Sequence, residues 1–374
     1  MNNNQNNESK LTSIIAVICA IFLGAGAMYG IIKLNPAVFI KQITKLEKDV
    51  TVNENGIADA VEKIYDAVVV VSTYKENSNQ TIQLIGSGTG FVYQTDNDKA
   101  YILTNHHVID GGTEIHVSFT NGVKEKVKVL GGDKFSDIAV LSIDKDKIIS
   151  VAELGNSDET RLGDTVFVVG SPLADVYSWS VTRGILSGKD RMMEVSSTGS
   201  NTQADYVMSV HQTDAAINAG NSGGPLSNSN GEVIGITSMK LVSSGVEGMG
   251  FAIPIETALK YAEKIIDGKE IVRPYLGVTM INVTEAYYYR EYYNMVNQLG
   301  IQTGVIITDV ENDSSADKAG IKAGDIIVKM GETDVTSLAY LRYELYNHEV
   351  GETVSIEYLR DGVKKTTSIK LEGK

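Results

Sequence analysis

The glycine-rich stretch around Ser222 has the residue types expected of a nucleophile turn. Residues 213–228 read TDAAINAGNSGGPLSN, so Ser222 lies within the run Gly-Asn-Ser-Gly-Gly. A serine nucleophile needs a turn that exposes its hydroxyl, and backbone N–H groups directed at a developing oxyanion. Gly220, Asn221 and Ser222 are therefore the candidate oxyanion hole, with the N–H groups of Gly220 and Ser222 as donors. Taken alone, the stretch fits a noncatalytic glycine-rich hairpin equally well.

Two other stretches supply a base and an acid. TNHHV, at residues 104–108, ends an apolar strand and contains two of the five histidines, and FSDIAVL places Asp137 at the start of another strand. The chain order is then His, Asp, Ser, as in chymotrypsin-like proteases. Such a histidine takes the serine proton, and the aspartate holds the imidazole tautomer. Adjacent side chains point in different directions, so only one histidine should face Ser222, and the pattern does not say which.

The segments that must position these residues have the pattern of an all-β domain. From about residue 56, apolar runs of 4–8 residues alternate with Gly, Asn and Asp, which is typical of antiparallel strands in a barrel or sandwich. The period changes at residues 255–266, where apolar residues fall on one helical face and Gly268 is a suitable stop. An α+β pattern follows, with a helix near residues 337–347 capped by Thr336 or Ser337.

Composition excludes several classes of protein. The single cysteine, Cys19, allows no intrachain disulfide and no zinc site built on cysteines. The net charge of -14 argues against a nucleic-acid partner, because phosphates would be repelled. Neighbouring histidines rarely converge on one ion and no third ligand is evident, so we expect no metal and no cofactor.

The N-terminus carries an uncharged segment, LTSIIAVICAIFLGAGAMYGII, at residues 11–32. As a helix it would span about 33 Å, enough to cross a bilayer, so it predicts a transmembrane anchor after a tail at residues 1–10. A cleaved signal peptide is the alternative, because Ala25-Gly26-Ala27 has the form of a cleavage site. The lysines that follow the span conflict with an exported domain under the positive-inside rule.

Several motifs then occur together and in order: GSGTGF, YILTNHHV, SDIAVL, VVGSP, VTRGILSG, TDAAINAGNSGGPL, GMGFAIPI and YLGV. In these motifs the chain resembles membrane-anchored bacterial HtrA/Deg serine proteases over residues 57–371. The resemblance implies a mainly β fold: a chymotrypsin-like double β-barrel protease domain and an α+β PDZ domain, preceded by one transmembrane helix. The expected boundaries are a linker at 33–56, the protease domain at 57–256, a linker helix at 257–271 and the PDZ domain at 272–371.

The resemblance also selects the base. The family pattern places the catalytic histidine directly before the valine, so His107 is the candidate and His106 fills a variable position. The expected triad is His107, Asp137 and Ser222. Ala216, Ile217 and Asn218 would line the S1 pocket. Because Ala216 stands at the floor position and brings no carboxylate, we expect cleavage after small or medium aliphatic residues.

The second domain is expected to bind peptides. The resemblance implies that Tyr275, Leu276, Gly277 and Val278 form a loop that captures a free C-terminal carboxylate. The peptide would add as a strand along residues 278–281, against the helix that contains Leu338 and Leu341, which is a recurring mode of recognition. The alternative is a PDZ scaffold that binds no peptide.

These features together predict an ATP-independent serine endopeptidase that degrades misfolded or damaged exported proteins at the outer face of a bacterial membrane. Its partners would be unfolded polypeptides, C-terminal peptides, the membrane through the N-terminal helix, and copies of itself in a homotrimer or larger assembly. Two alternatives are a site-specific signalling protease and a PDZ adaptor or chaperone on an inactive protease fold. The intact His107, Asp137 and Ser222 weigh against the adaptor.

Overall fold

The computed structural model describes residues 56–171, 178–195, 206–238 and 248–373, together with Ile18, Phe22 and Leu23. The predicted tail, most of the predicted span and the linker up to residue 55 lie outside this part of the chain. No helix within it has the length and apolar character needed to cross a bilayer. The unit that begins at Gly56 contains every predicted site residue.

The first of two six-stranded barrels follows helix α1 (Gly56–Tyr65) and closes in the order β1-β2-β3-β6-β5-β4. Its strands are β1 (Val68–Glu76), β2 (Ile82–Thr95), β3 (Lys99–Asn105), β4 (Glu114–Ser118), β5 (Lys124–Asp133) and β6 (Ile138–Asp144). The short helix α2 (His106–Ile109) connects β3 to β4. Valine-rich β1 suits this place because its first residues are buried on both faces.

The second barrel closes in the order β10-β11-β12-β9-β8-β7. Its strands are β7 (Thr165–Gly170), β8 (Ser180–Val195), β9 (Tyr206–Thr213), β10 (Pro225–Asn228), β11 (Val233–Thr237) and β12 (Gly250–Pro254). The two short 3-10 helices between the barrels are Lys145–Lys147 and Ser157–Glu159. The double barrel that the resemblance implied is confirmed.

The two barrels share one hydrophobic core, which includes Phe91 and Ile138 of the first and Phe167 and Ile236 of the second. Helix α3 (Ile255–Ile266) adds Ile255, Ala258, Ala262 and Ile265 to the same core, so the helix predicted from the sequence is confirmed with its apolar face buried. Gly268 follows with φ +65, a conformation that favours glycine and ends the helix.

The C-terminal part is an α+β unit around a sheet of order β14-β15-β16-β18-β19. Its strands are β13 (Pro274–Tyr275), β14 (Val278–Asn282), β15 (Val305–Val310), β16 (Ile326–Met330), β17 (Thr333–Asp334), β18 (Thr353–Arg360), β19 (Val363–Lys370) and β20 (Glu372–Gly373). Its helices are the 3-10 helix Val283–Tyr288, α4 (Arg290–Leu299), α5 (Ser315–Lys318) and α6 (Leu338–Asn347). Ser337 caps α6 by accepting the N–H of Tyr340.

Candidate active site

His107 lies where a barrel strand turns into a short helix. Strand β3 ends at Asn105, and α2 begins at the next residue. The side chains of Val108 and Ile109 are buried, whereas the His107 side chain is 32% exposed. The turn therefore leaves the imidazole accessible while the rest of α2 packs onto the barrel.

The imidazole of His107 is paired with the carboxylate of Asp137. Nδ1 lies 2.8 Å from Oδ2 and 3.0 Å from Oδ1, and the backbone N–H of His107 donates to Oδ1 at 3.0 Å. An imidazole that donates Nδ1–H to a carboxylate carries its lone pair on Nε2. The pairing thus selects the tautomer in which Nε2 can accept a proton.

Ser238 completes the surroundings of the acid. The Asp137 side chain is 1% exposed, and Ser238 Oγ donates to its Oδ2 at 3.1 Å from the end of β11 in the other barrel. A buried carboxylate needs such donors, because burial without them is costly. Sequence reasoning missed Ser238; the signal available was its place in GITS, at the end of an apolar strand.

The backbone of Asp137 is held in an unusual conformation. Its φ is +57, in the left-handed region that aspartate tolerates better than most residues. Asn105 Nδ2 and the N–H of His106 both donate to the Asp137 carbonyl at 3.0 Å. These two bonds offset the backbone strain and fix the acid next to the turn that carries His107.

His106 faces another way. The backbone N–H of His106 donates to the Asp137 carbonyl, and the His106 ring lies against Gly132 on β5. A Cβ at Gly132 would be 2.8 Å from His106 Cδ2, so the ring occupies the space that the glycine leaves. Of the two adjacent histidines, it is His107 whose ring meets the carboxylate.

Ser222 follows a tight turn after β9. The N–H of Asn221 donates to the carbonyl of Asn218 at 3.0 Å, and Gly220 within this turn has φ +101. Gly223 also has positive φ, and a Cβ there would lie 2.1 Å from the Thr89 carbonyl. These positions require glycine because a side chain would be strained at both and would clash at Gly223.

Thr89 of β2 connects the nucleophile turn to the first barrel. Its N–H donates to the Ser222 carbonyl at 2.8 Å, and its Oγ1 donates to the Gly220 carbonyl at 2.6 Å. Thr104, at the end of β3, donates to the Thr89 carbonyl at 2.7 Å. The motif GSGTGF was visible in the sequence, but this role of its threonine was not.

The turn geometry separates the three residues predicted for the oxyanion hole. The N–H of Asn221 donates inside the turn, to the Asn218 carbonyl, so within the predicted oxyanion hole Asn221 is a residue that shapes the loop. Its Nδ2 donates to the Ala216 carbonyl at 3.3 Å, and its carbonyl accepts Thr237 Oγ1 at 2.6 Å. Gly220 and Ser222 are left as the candidate donors.

The predicted S1 residues lie on the segment between β9 and the turn. Ala216 and Asn218 are exposed, whereas the Ile217 side chain is 9% exposed and packs in the second barrel. The nearby carboxylate of Asp214 accepts the N–H of Ile185 at 2.6 Å. Asp214 is thus hydrogen-bonded to the backbone of β8. The segment ITSMKLVSSGVEGMG, at residues 236–250, also predicts a pocket wall from its sequence, but its residues 239–247 lie outside the described part of the chain.

The predicted peptide-binding residues lie in the C-terminal unit, apart from the triad. Leu276 is buried in its core, Gly277 has φ +76, and a Cβ there would be 2.2 Å from Ser314 Cβ. Val278 begins β14, an edge strand of the sheet, which is the geometry for adding a peptide strand. Leu338 and Leu341 on α6 are buried in the same core. Tyr275 donates through its hydroxyl to Glu311 at 2.9 Å.

A buried ion pair joins this unit to the first barrel. Arg273 donates from Nη1 and Nη2 to the two Asp133 oxygens at 2.7 and 2.6 Å, and its guanidinium lies over the rings of Phe135 and Tyr346. Burial opposes ionisation of Asp133, but Arg273 holds its pKa below the usual range. Asp133 Oδ2 also accepts the N–H of Ser136, the residue before Asp137.

Comparison with known proteins assigns both parts of the chain. Residues 88–236 match the trypsin-like peptidase domain family, and residues 274–371 match the PDZ domain family. These two ranges contain the three predicted triad residues and the four predicted peptide-binding residues, respectively.

Curated relatives share this arrangement over most of their length. The chain is 40% identical over 332 residues to the serine protease Do-like HtrB of Bacillus subtilis, covering 85% of the chain and 71% of that protein. It is 35% identical over 395 residues to the serine protease Do-like HtrA of Lactococcus lactis subsp. cremoris, covering 98% and 95%.

Solved structures agree with these relatives. The HtrA-type protease AlgW with a decapeptide aligns with a TM-score of 0.65 and 28% identity, covering 85% of this chain and 98% of that one. A serine endoprotease from Yersinia pestis aligns with a TM-score of 0.61 and 29% identity, over 85% and 98% of the two chains.

Proposed function

The chain belongs to the HtrA/Do-like family of serine proteases, and from this premise we propose that Ser222, His107 and Asp137 are the catalytic triad of this serine endopeptidase. The observation that carries the proposal is the buried Asp137 carboxylate, which lies 2.8 Å from His107 Nδ1. Each member of the triad comes with its own positioning contacts, on two barrels that share one core.

The reaction proceeds by covalent catalysis. His107 Nε2 accepts the proton of Ser222 Oγ as this oxygen attacks the peptide carbonyl carbon. The N–H groups of Gly220 and Ser222 stabilise the negative charge on the carbonyl oxygen. Collapse of the tetrahedral intermediate breaks the C–N bond, and His107 gives its proton to the leaving amine. Water, activated in turn by His107, hydrolyses the acyl-enzyme.

The substrates we propose are extended segments of misfolded or damaged exported proteins, cut after small or medium aliphatic residues. The exposed Ala216 at the proposed floor of the pocket supports this preference, because that position brings no carboxylate for a lysine or arginine side chain. Unfolded proteins supply both extended segments and free C-termini.

The PDZ unit is proposed to bind C-terminal peptides and to regulate the protease. Support comes from edge strand β14, from Gly277 at the loop that precedes it, and from the decapeptide bound to AlgW. The Arg273–Asp133 pair gives the two units a buried contact through which one can influence the other.

The proposed location is the outer face of a bacterial membrane, with residues 11–32 as a single-pass anchor and a homotrimer or larger assembly as the working form. The uncharged 22-residue segment supports the anchor. A relative from Haemophilus influenzae carries the name of a probable periplasmic protease, which fits an exported catalytic domain.

The test combines a fluorophosphonate probe for activated serines with an unfolded protein substrate. Full-length wild type and His106→Ala should label and cleave, because the His106 ring does not meet the carboxylate. Ser222→Ala and His107→Ala should lose at least about a thousandfold in rate. Activity in His107→Ala but not in His106→Ala would refute the assignment of the base.

The same experiment separates the alternatives. A wild type that binds C-terminal peptides but neither labels nor cleaves would be an adaptor on an inactive fold. A wild type that labels yet leaves every unfolded protein intact would point to a site-specific signalling protease.

A further inference from the structure

Thr237 is a buried threonine at the end of β11, in the second barrel. Its Oγ1 lies 2.6 Å from the Asn221 carbonyl oxygen and 3.1 Å from the Gly224 carbonyl oxygen. A carbonyl can only accept, so the hydroxyl is the donor in either contact. The shorter distance is well within the range of an O–H···O hydrogen bond, whereas the longer one is at its limit. The single proton of this hydroxyl is therefore assigned to the Asn221 carbonyl.

Backbone donors complete the bonding of both carbonyls. The N–H of Thr237 donates to the Gly224 carbonyl at 2.9 Å, so this carbonyl does not depend on the hydroxyl. The N–H of Gly224 donates to the Asn221 carbonyl, also at 2.9 Å. A carbonyl oxygen has two lone pairs, and the Asn221 carbonyl thus uses one for Gly224 and the other for the hydroxyl. These two donors fix the direction of the Asn221 carbonyl.

The Asn221 carbonyl belongs to the same peptide unit as the N–H of Ser222. In a trans peptide unit the C=O and N–H bonds lie in one plane and point in opposite directions. None of the described peptide bonds is cis. Donors that hold the Asn221 carbonyl therefore direct the N–H of Ser222 to the side away from Thr237. A hydrogen bond to the carbonyl also polarises the amide and makes its N–H a stronger donor.

The preceding peptide unit is held from the first barrel. Thr89 Oγ1 donates to the Gly220 carbonyl at 2.6 Å, and the N–H of this peptide unit, that of Asn221, donates inside the turn. Two consecutive peptide units are thus fixed by two threonine hydroxyls. Only the second unit carries a candidate oxyanion donor, the N–H of Ser222. Of the two hydroxyls, it is the one of Thr237 that acts on that donor through a single peptide unit.

Packing alone does not explain a hydroxyl at position 237. The other large side chains of β11, those of Val233, Ile234 and Ile236, are aliphatic and 0% exposed. Valine has nearly the shape of threonine and is as well suited to a strand. A buried hydroxyl is stable only when it has a hydrogen-bond partner. The property that distinguishes threonine from valine here is the bond to the Asn221 carbonyl.

We propose that Thr237 is a positioning residue of the oxyanion hole. Its hydroxyl holds the Asn221 carbonyl so that the N–H of Ser222 points at the substrate carbonyl oxygen. This oxygen becomes negative when Ser222 Oγ attacks, and a donor that is already oriented stabilises the charge without reorganisation. The proposal rests on the proposed triad. It predicts that the hydroxyl acts on the transition state and not on binding of the substrate.

The test compares Thr237→Val with Thr237→Ser in the full-length protein. Valine keeps the shape and removes the hydroxyl, whereas serine keeps the hydroxyl and removes a methyl group. The substrate is an internally quenched peptide with valine at the cleavage site. In Thr237→Val we expect kcat to fall about thirtyfold at constant KM, less than the loss of about a hundredfold or more on removing a whole oxyanion donor. In Thr237→Ser we expect kcat to stay within about threefold of wild type, although the lost methyl group lowers the melting temperature.

A transition-state analogue gives a readout that a general loosening of the fold would not move. When a peptidyl trifluoromethyl ketone binds, the serine oxygen bonds to the ketone carbon, His107 takes the serine proton, and the ketone oxygen becomes an oxyanion. Its inhibition constant should rise in Thr237→Val by the same factor as kcat/KM falls, and should keep its wild-type value in Thr237→Ser. The pH profile of kcat/KM should keep its midpoint in both variants, because His107 is unaltered.

Thr160→Val is the matched control. Thr160 lies between the two barrels, and its Oγ1 donates to the Ser157 carbonyl at 2.6 Å, the same distance as in the bond from Thr237 to Asn221. The replacement removes a hydroxyl-to-carbonyl bond of the same kind that is not part of the nucleophile turn. We expect a lower melting temperature with unchanged kcat and an unchanged inhibition constant.

Loss of kcat and of inhibitor affinity in Thr237→Val, with both retained in Thr237→Ser and Thr160→Val, supports the positioning role. An equal loss in Thr237→Ser overturns it, because the fit of the side chain and not its hydroxyl would then hold the turn. Unchanged kinetics in Thr237→Val, or a change in KM alone, also overturns it. If Thr237→Val does not fold, Thr237→Ala replaces it, because alanine and serine differ only by the hydroxyl. A wild type that neither labels with the fluorophosphonate probe nor cleaves refutes the proposed function instead.

Discussion

Asp137 and His211 are both 1% exposed, yet their surroundings are opposite. The Asp137 carboxylate accepts bonds from the backbone and ring of His107 and from Ser238. His211 lies on β9 of the second barrel, and neither of its ring nitrogens has a hydrogen-bond partner within the described part of the chain. The two side chains are thus equally buried, but only the Asp137 carboxylate has hydrogen-bond partners among the described residues.

Burial alone therefore does not set the state of a polar group. Burial lowers the pKa of His211, since a buried imidazolium lacks hydration. Asp190, Glu256 and Asp158 favour its charged form and Lys189 opposes it, but burial outweighs them. Burial thus favours the neutral form of the His211 ring, whereas the hydrogen bonds from His107 and Ser238 stabilise the Asp137 carboxylate.

Removing the charge of Asp137 should have the largest effect. In Asp137→Asn the amide can donate to Nδ1, which favours the tautomer with the proton on Nε2 and leaves no base for Ser222. We expect kcat to fall about ten-thousandfold. Stopped assays with an internally quenched peptide that has valine at the cleavage site measure this, and an unchanged melting temperature would show that the fold is intact. A loss below tenfold would contradict the role assigned to the carboxylate.

Replacing His211 should change stability and its pH dependence. The folded pKa lies below the unfolded value of about 6.5, so the unfolded chain binds more protons in mild acid. Stability conferred by the neutral ring is complete above that pH and is lost as the pH falls toward the folded pKa. His211→Leu should remove this loss, and should stabilise the protein by about 1 kcal/mol at neutral pH by removing unpartnered nitrogens.

Denaturant titrations at pH 7.5 and 5.5 test this change. The difference in unfolding free energy between the two pH values should be smaller in the variant than in the wild type. If this difference is the same in the wild type and the variant, protonation of His211 does not destabilise the fold. Burial would then not control the charge of His211, contrary to the comparison with Asp137.

Removing one donor from Asp137 should have the smallest effect. Ser238→Ala deletes a single hydrogen bond to Oδ2 and leaves the His107 contacts in place, so we expect kcat/KM to fall about fivefold. Ser136→Ala is the control, on the loop that carries Asp137. The Ser136 hydroxyl donates to Asp133 rather than to Asp137. Equal losses in the two variants would show that loop packing, not the bond from Ser238, supports the acid.

Much of the fold was predictable because its signals are local. Strand-length apolar runs between turn residues gave the barrels, and a change of period gave α3. The order of His107, Asp137 and Ser222 was visible for the same reason, since each residue lies in a short motif. The choice between His106 and His107 came from the resemblance, not from the pattern.

Other features depend on pairings between residues far apart in sequence. The Arg273–Asp133 pair joins positions 140 apart, and Ser238 meets Asp137 across the two barrels. The alternation of His211 with apolar residues in VMSVHQT fits either a buried or an exposed strand position, and only the closed barrel shows it buried, with no partner among the described residues. The motif predicted Gly220 and Ser222 as oxyanion donors, but the bonds by which Asn221 shapes their turn reach Ala216 and Thr237 and are not encoded in a motif.

The division of the triad between the barrels has a consequence for self-digestion. His107 and Asp137 belong to the first barrel and Ser222 to the loop of the second, joined through Thr89. A copy whose barrels begin to separate loses its nucleophile–base contact before its strands become extended enough to be cut. A damaged copy can then be destroyed only by an intact neighbour. Where the intact copy belongs to another assembly, loss of enzyme through autoproteolysis should therefore follow second-order kinetics, fast in crowded preparations and slow in dilute ones.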